Sequence, residues 1–148
     1  MNTILKVNNI TKTYNKGQQP SLDKVSFNVS EGEFIGIMGA SGSGKTTLLN
    51  VLSTIDKPTS GDIFINNINL KSLNDTCAAD FRKDNLGFIF QEYFLLDSLT
   101  IFENISVPLT LQKLNPDKIE NMVKSLAERF GIASQLNKYP NELSGGQR

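Results

Sequence analysis

Histidine is absent from this sequence of 148 residues, and cysteine occurs once, as Cys77. Without an imidazole, His-based acid–base relays and His-ligated metal centres drop out of the available chemistry. A single thiol cannot close an internal disulfide, and within the stretch NDTCAADF it reads as a small apolar side chain. An excess of either charge is lacking too. The 15 Lys+Arg balance 15 Asp+Glu, so nothing pulls the chain toward nucleic acid and no nucleic-acid partner is expected. No apolar run approaches the ~20 residues that a membrane helix needs. The opening MNTILKVNNI also has no basic segment leading into an apolar one, so the chain is expected to be cytosolic. What is present, 39% hydrophobic and 20% charged residues, suits a domain with a real core.

The order of elements follows from periodicity. ILKVNNITKTY and SLDKVSFNVS alternate apolar and polar residues around Gly17 and Pro20, which predicts two half-exposed strands pairing as an antiparallel edge layer. FIGIMG (residues 34–39) and LGFIF (residues 86–90) are apolar without alternation, as buried strands of a mostly parallel sheet would be. Between them, KTTLLNVLSTI carries Leu48, Leu49 and Leu52 at helical spacing, KPTSG is a turn, and DIFINN is a short strand ending in an Asn-Asn turn. A helix is expected over residues 73–83. Beyond Gln91 the character becomes helical. Thr100 and Glu103 make a capping-box pattern, and Asn115 with Pro116 opens a helix whose apolar stripe is Ile119, Met122, Val123, Leu126 and Phe130, stopped by Gly131. The expected division is an α/β part over residues 1–91 and a mainly helical part over residues 92–148.

The strongest chemical signal is GASGSGKTT, which fits G-x-x-x-x-G-K-[ST] with Gly39, Gly44, Lys45 and Thr46 in the fixed places. It stands where a strand should run into a helix. In such a loop the backbone of Gly39, Ala40, Ser41, Gly42, Ser43 and Gly44 wraps phosphates with inward N–H groups, and the helix adds the positive end of its dipole. Lys45 would reach the β- and γ-phosphates, and the Thr46 hydroxyl would ligate Mg²⁺. GTPases, kinases and motor ATPases share this loop, so by itself it names no family.

GASGSGKTT, FIFQEY and LSGGQ together resemble the nucleotide-binding subunit of ATP-binding cassette (ABC) transporters, in order along the whole chain. MGASGSGKTTLLNVLSTIDKPTSG and LGFIFQEYFLLDSLTIFENI bring the likeness nearer to the ATPases of bacitracin-type antimicrobial-peptide, lipoprotein-release and macrolide exporters. The resemblance implies a P-loop NTPase core of α/β class with an antiparallel β edge layer and a helical subdomain. It implies ATP and Mg²⁺ as ligands, Tyr14 stacked on adenine, Thr47 on the α-phosphate, and Gln91 contacting Mg²⁺ or the attacking water. Lys45 and Gln91 are thereby the catalytic candidates, and Thr46 and Gln91 the metal candidates. The segment EYFLLDSLT either docks on a membrane-spanning permease, as in the family, or is buried in the helical part. The permease would hold the subunit on the inner face of the cell membrane. The alternative is a soluble non-transport ABC ATPase such as a translation factor; the repair type, with a long coiled coil between its motifs, does not fit the short distance from Gly39 to Leu143.

The ending NELSGGQR supplies a serine hydroxyl, glycine amides and an expected helix start at Gly146, a second anion-binding end formed by Ser144, Gly145, Gly146 and Gln147. One triphosphate cannot fill two such ends in one subunit. The economical arrangement is a head-to-tail dimer with a second ATP-binding subunit, as the resemblance also implies. A strand ending in Asp and a catalytic Glu, and then a switch histidine, should follow LSGGQ in the family, and these 148 residues contain neither. The expectation is therefore a cassette incomplete at its C-terminal side, with an open sheet edge beside residues 34–39 and no ATP turnover by itself.

Overall fold

Antiparallel pairing organises the start of the chain. Strand β1 (Thr3–Lys12) lies between β2 (Leu22–Ser30) and β3 (Ser60–Ile65), and the short β4 (Ile68–Asn69) completes the order β2-β1-β3-β4. This computed structural model describes residues 2–15, 17, 19–90 and 92–146, and divides the chain into two compact units, Met1–Leu86 and Gly87–Arg148.

Strict alternation in β1 would put Val7 and Asn9 on one face. Instead Asn9 takes φ 47°, the register with β2 slips between Val7 and Ile10, and Ile10 turns inward. Val7 and Ile10 are consequently both buried. The partner strand is shaped to this bulge. Gly61 has φ +90°, and a Cβ there would fall 2.5 Å from the Asn9 carbonyl oxygen and 2.6 Å from that of Asn8, so no other residue fits without displacing backbone. The Asn-Asn turn forms as expected. Asn66 and Asn67 both have positive φ, 49° and 64°, which is the geometry that closes the two-residue hairpin pairing Ile65 with Ile68.

Against the sheet pack α1 (Lys45–Leu52) and α2 (Asp75–Asn85). Val7, Ile10 and Ile63 of the sheet meet Leu48 and Val51 of α1 and Phe81 of α2. Each such side chain contributes about 1.5–3 kcal/mol on burial. Leu49, expected on the buried face of α1, is exposed; Val51 takes that place. Asn74 caps α2 by accepting from the Cys77 amide at 2.8 Å, and Cys77 itself is an exposed free thiol. Arg82 ties α2 to the chain leaving α1 through two 3.0 Å bonds to the carbonyl and hydroxyl oxygens of Thr54.

The two apolar segments read as buried parallel strands are not strands. Residues 34–39 and 86–90 join no ladder among the described residues and lie largely exposed, with Phe34 98% and Met38 93% accessible. The reason is physical. A parallel strand takes its backbone hydrogen bonds from neighbours on either side, and the described sheet is wholly antiparallel and built from other residues.

In the second unit α3 (Ile101–Leu111) starts at the expected capping box: the Glu103 amide donates to Thr100 Oγ1 at 3.3 Å and the Thr100 amide to Glu103 Oε2 at 2.7 Å. These contacts, the Thr100 amide first and its hydroxyl second, hold the Glu103 carboxyl below its ordinary pKa. Helix α4 (Pro116–Arg129) has the expected Asn115 cap and first-turn proline, and Gly131, at φ +70°, follows its end. The expected apolar stripe divides. Ile119 and Val123 are buried together with Ala127, whereas Met122, Leu126 and Phe130 are exposed, because the packed face of α4 follows the i, i+4, i+8 line. Asn104 secures the approach to α3. Its side chain accepts from the Leu96 amide and donates to the carbonyls of Leu96, Leu99 and Thr100, all between 2.8 and 3.1 Å.

Candidate functional site

The expected phosphate loop, residues 39–47, leads into α1 in the first unit. Gly44 is the N-cap, at φ 90°, and no side chain caps the helix, so the first-turn amides of α1 keep their hydrogen-bonding capacity for an anion. Glycine is required at Gly44 for a second reason. A Cβ there would overlap the Ser21 carbonyl oxygen and meet Leu22 Cδ2 at 3.2 Å, so the loop closes directly on the start of β2. At Gly39 a Cβ would sit 2.6 Å from Ser43 Oγ. The ammonium of Lys45 lies across the loop, donating to the carbonyls of Gly39 at 2.9 Å and Ala40 at 2.7 Å, with Ser43 Oγ at 3.5 Å. Ala40, Ser41 and Gly42 are exposed, and Gly42 has φ +77°.

Thr46 is exposed and Thr47 half-buried on the first turn of α1. Among the described residues no group of three or more His, Cys, Asp or Glu side chains is placed to hold a metal ion. A cation here would receive one protein oxygen, from Thr46, and the remaining oxygens would have to come from phosphate and water, which is how Mg²⁺ binds in nucleotide sites. Thr46 therefore fits a metal carried in by the nucleotide and does not fit a resident ion.

Tyr14 stands beside this helix. Its hydroxyl reaches Thr47 Oγ1 at 3.5 Å, and its ring, 57% exposed, carries the Lys12 ammonium 4.9 Å from its centroid. Lys12 in turn bonds Asp56 Oδ1 at 2.5 Å and the Lys57 carbonyl at 2.8 Å. Burial pushes the Asp56 carboxyl up, but the Lys12 ammonium, the Lys57 amide and the Tyr14 hydroxyl together hold it below its ordinary value. Lys12 and Asp56 have no local signature and are 44 residues apart, so only the folded chain reveals the pair.

The structure thus brings Tyr14 to residues 39–47 within one unit, while Ser144, Gly145 and Gly146 belong to the other. They are exposed beyond the buried Leu143, and the Gly145 carbonyl accepts from Tyr93 Oη at 2.9 Å. Gln91 and Gln147 lie outside the described residues. In the segment after Gln91, Tyr93, Phe94 and Leu96 are exposed, and Phe94 meets Phe90 edge to face at 4.9 Å. No helix among the described residues is long and apolar enough to cross a membrane.

Comparison with known proteins covers this same ground. The profile of the family described as ABC transporter matches residues 22–148. The ABC transporter ATP-binding protein YxdL of Bacillus subtilis (strain 168) is 53% identical over 150 residues, which cover 100% of this chain and 58% of that protein. The bacitracin export ATP-binding protein BceA of Halalkalibacterium halodurans is 49% identical over 98% of this chain and 58% of its own length. Among solved structures, the dimeric post-hydrolysis state of the ATP-binding cassette MJ0796 of Methanocaldococcus jannaschii, bound to ADP and Pi, matches with a TM-score of 0.87 at 38% identity. That match covers 97% of this chain and 64% of the other. The chain therefore spans about six-tenths of the length of these relatives, and over that span its fold is the α/β fold of an ABC ATPase cassette. With the family profile matched over residues 22–148 and relatives about half identical along its whole length, the chain belongs to the ABC transporter family of ATP-binding proteins.

Proposed function

We propose that this chain is part of the ATP-binding subunit of an ABC exporter, coupling ATP binding and hydrolysis to transport through a separate membrane-spanning permease. The observation that carries the reading is the convergence, at the N-terminus of α1, of the Gly44-capped loop, the Lys45 ammonium and the Tyr14 ring. Phosphate oxygens would replace the carbonyls of Gly39 and Ala40 as partners of Lys45, and the adenine would stack on Tyr14. Thr46 and Gln91, together with the phosphates, would hold Mg²⁺, which would supply charge neutralisation of the transferring group. Residues 1–91 would then form the part of the core bearing the P-loop and Gln91, and residues 92–148 the helical part ending in the signature loop. Ser144, Gly145, Gly146 and Gln147 would face the nucleotide of a second subunit head to tail, and Tyr93 and Phe94 would offer apolar surface to the permease on the inner membrane face. The relation to BceA supports export of a peptide antibiotic as the substrate class.

The deciding experiment is calorimetric titration of Lys45→Ala with ATP. Loss of a charge-assisted contact weakens binding by about 1.5–3 kcal/mol. Unchanged affinity in a folded variant removes the assignment. Residues 1–148 by themselves, with no histidine and no apolar strand ending in Asp-Glu, are expected to release no phosphate above background. Turnover that Lys45→Ala abolishes contradicts that expectation.

A further inference from the structure

The Tyr14 ring sits beyond the sheet. Strand β1 ends at Lys12, and among the described residues the Thr13 backbone meets the Thr59 hydroxyl, which accepts from the Thr13 amide at 3.0 Å and donates to the Thr13 carbonyl at 3.4 Å. What orients the ring is a closed circuit of contacts that begins and ends on α1. Asn50, on α1, accepts the Asp56 amide at 3.0 Å, and the Asp56 carboxylate accepts the Lys57 amide at 2.7 Å and the Lys12 ammonium at 2.5 Å. That ammonium covers one face of Tyr14, whose hydroxyl returns to Thr47 on the first turn of α1. The Lys12 side chain is only 12% exposed, so the cation is withdrawn from water and its contacts are correspondingly firm.

We propose that Lys12 and Asp56 are positioning residues for nucleotide binding: they hold the Tyr14 ring at a fixed station relative to the phosphate-binding end of α1, with one face occupied by the ammonium and the other presented to the base. The proposal rests on the reading that Tyr14 takes the adenine. Lys12 touches neither base nor phosphate in this scheme. Its effect passes through the ring, by fixing the ring plane and by polarising the π system against which the adenine stacks. The signature is a loss confined to ligands that carry a base.

Binding of ATP and of inorganic tripolyphosphate, measured on the parent and on Lys12→Met, Lys12→Arg, Asp56→Asn and Tyr14→Ala, tests it. Lys12→Met is expected to weaken ATP roughly three- to tenfold, the scale of a cation–π contact, and to leave tripolyphosphate unchanged. Lys12→Arg keeps the cation and restores most of the affinity. Asp56→Asn, which preserves size, reproduces the ATP-specific loss even if Lys12→Met does not fold. Equal weakening of both ligands would mean that Lys12 merely supports the loop or meets the phosphates, and overturns the proposal. So does a Lys12→Met variant with parental ATP affinity while Tyr14→Ala loses base-dependent binding; in that case the role of Tyr14 stands and the pair is discarded. If Tyr14→Ala itself binds ATP like the parent, the underlying reading fails first and the proposal with it.

Discussion

Replacing Gly44 by alanine separates two costs that the structure assigns to one atom. The first is conformational. Gly44 has φ +90°, and an L-residue forced into left-handed backbone loses roughly 1–2 kcal/mol. The second is steric, since the added methyl would overlap the Ser21 carbonyl oxygen, a backbone atom that cannot rotate away. Overpacking of that kind costs about 1–3 kcal/mol. The sum for Gly44→Ala is about 2–5 kcal/mol. Gly42→Ala is the matched control: Gly42 has φ +77°, but an added Cβ would meet nothing within 4 Å, so it bears only the first cost. Both variants also lose unfolded-state entropy to the same extent, about 0.4–1 kcal/mol, and this cancels in their difference. After that offset, with a urea slope of about 2 kcal/mol/M, the midpoint should fall by about 0.5–2.3 M for Gly44→Ala and by no more than about 0.8 M for Gly42→Ala. Circular dichroism during urea titration reads both. Equal shifts would show that the loop does not close on β2, and the account of Gly44 would be wrong.

Two further outcomes are expected. Asn104→Ala removes the side chain that binds Leu96, Leu99 and Thr100, a loss of about 1–3 kcal/mol that should speed chymotryptic cleavage next to Tyr93 and Phe94 roughly tenfold; cleavage at the parental rate would mean the clamp is idle. The depressed Asp56 carboxyl contributes stability that is present above its ordinary value of 3.8 and lost as pH falls through its lower folded value. The stability difference between the parent and Asp56→Asn, up to about 1 kcal/mol at pH 7, should therefore shrink below about pH 4, and a difference independent of pH refutes the ion pair.

Local chemistry was legible in the sequence and long-range pairing was not. The capping box at Thr100, the Asn115–Pro116 start, the Asn66–Asn67 hairpin and the glycine-capped start of α1 depend on residues within a few positions of one another, so their signals are complete in a short window. The strands at residues 34–39 and 86–90 failed because apolar content indicates only willingness to be buried, and a strand exists only with a ladder partner. The β1 bulge escaped notice because it depends on Gly61, fifty-odd residues away, which the one-dimensional pattern cannot connect to Asn9. The candidate site divided the same way: the glycines and Lys45 are marked by their spacing and Tyr14 by family resemblance alone, whereas the contact of Lys12 with Asp56 exists only in the folded chain.

The outer strand β2 has a consequence for how this protein would misassociate. It is an edge of nine residues, long enough to template a neighbour. Yet Lys24 breaks its line at φ 47°, turning its amide back to Thr11 Oγ1 at 3.2 Å, and Asp23 adds a charge next to it. An incoming strand would lose its register there. The exposed apolar side chains of Phe34 and Met38 can still draw copies together, but by side-chain contact and without sheet growth. Crowding should then yield amorphous, redissolvable aggregates, not ordered cross-β fibres.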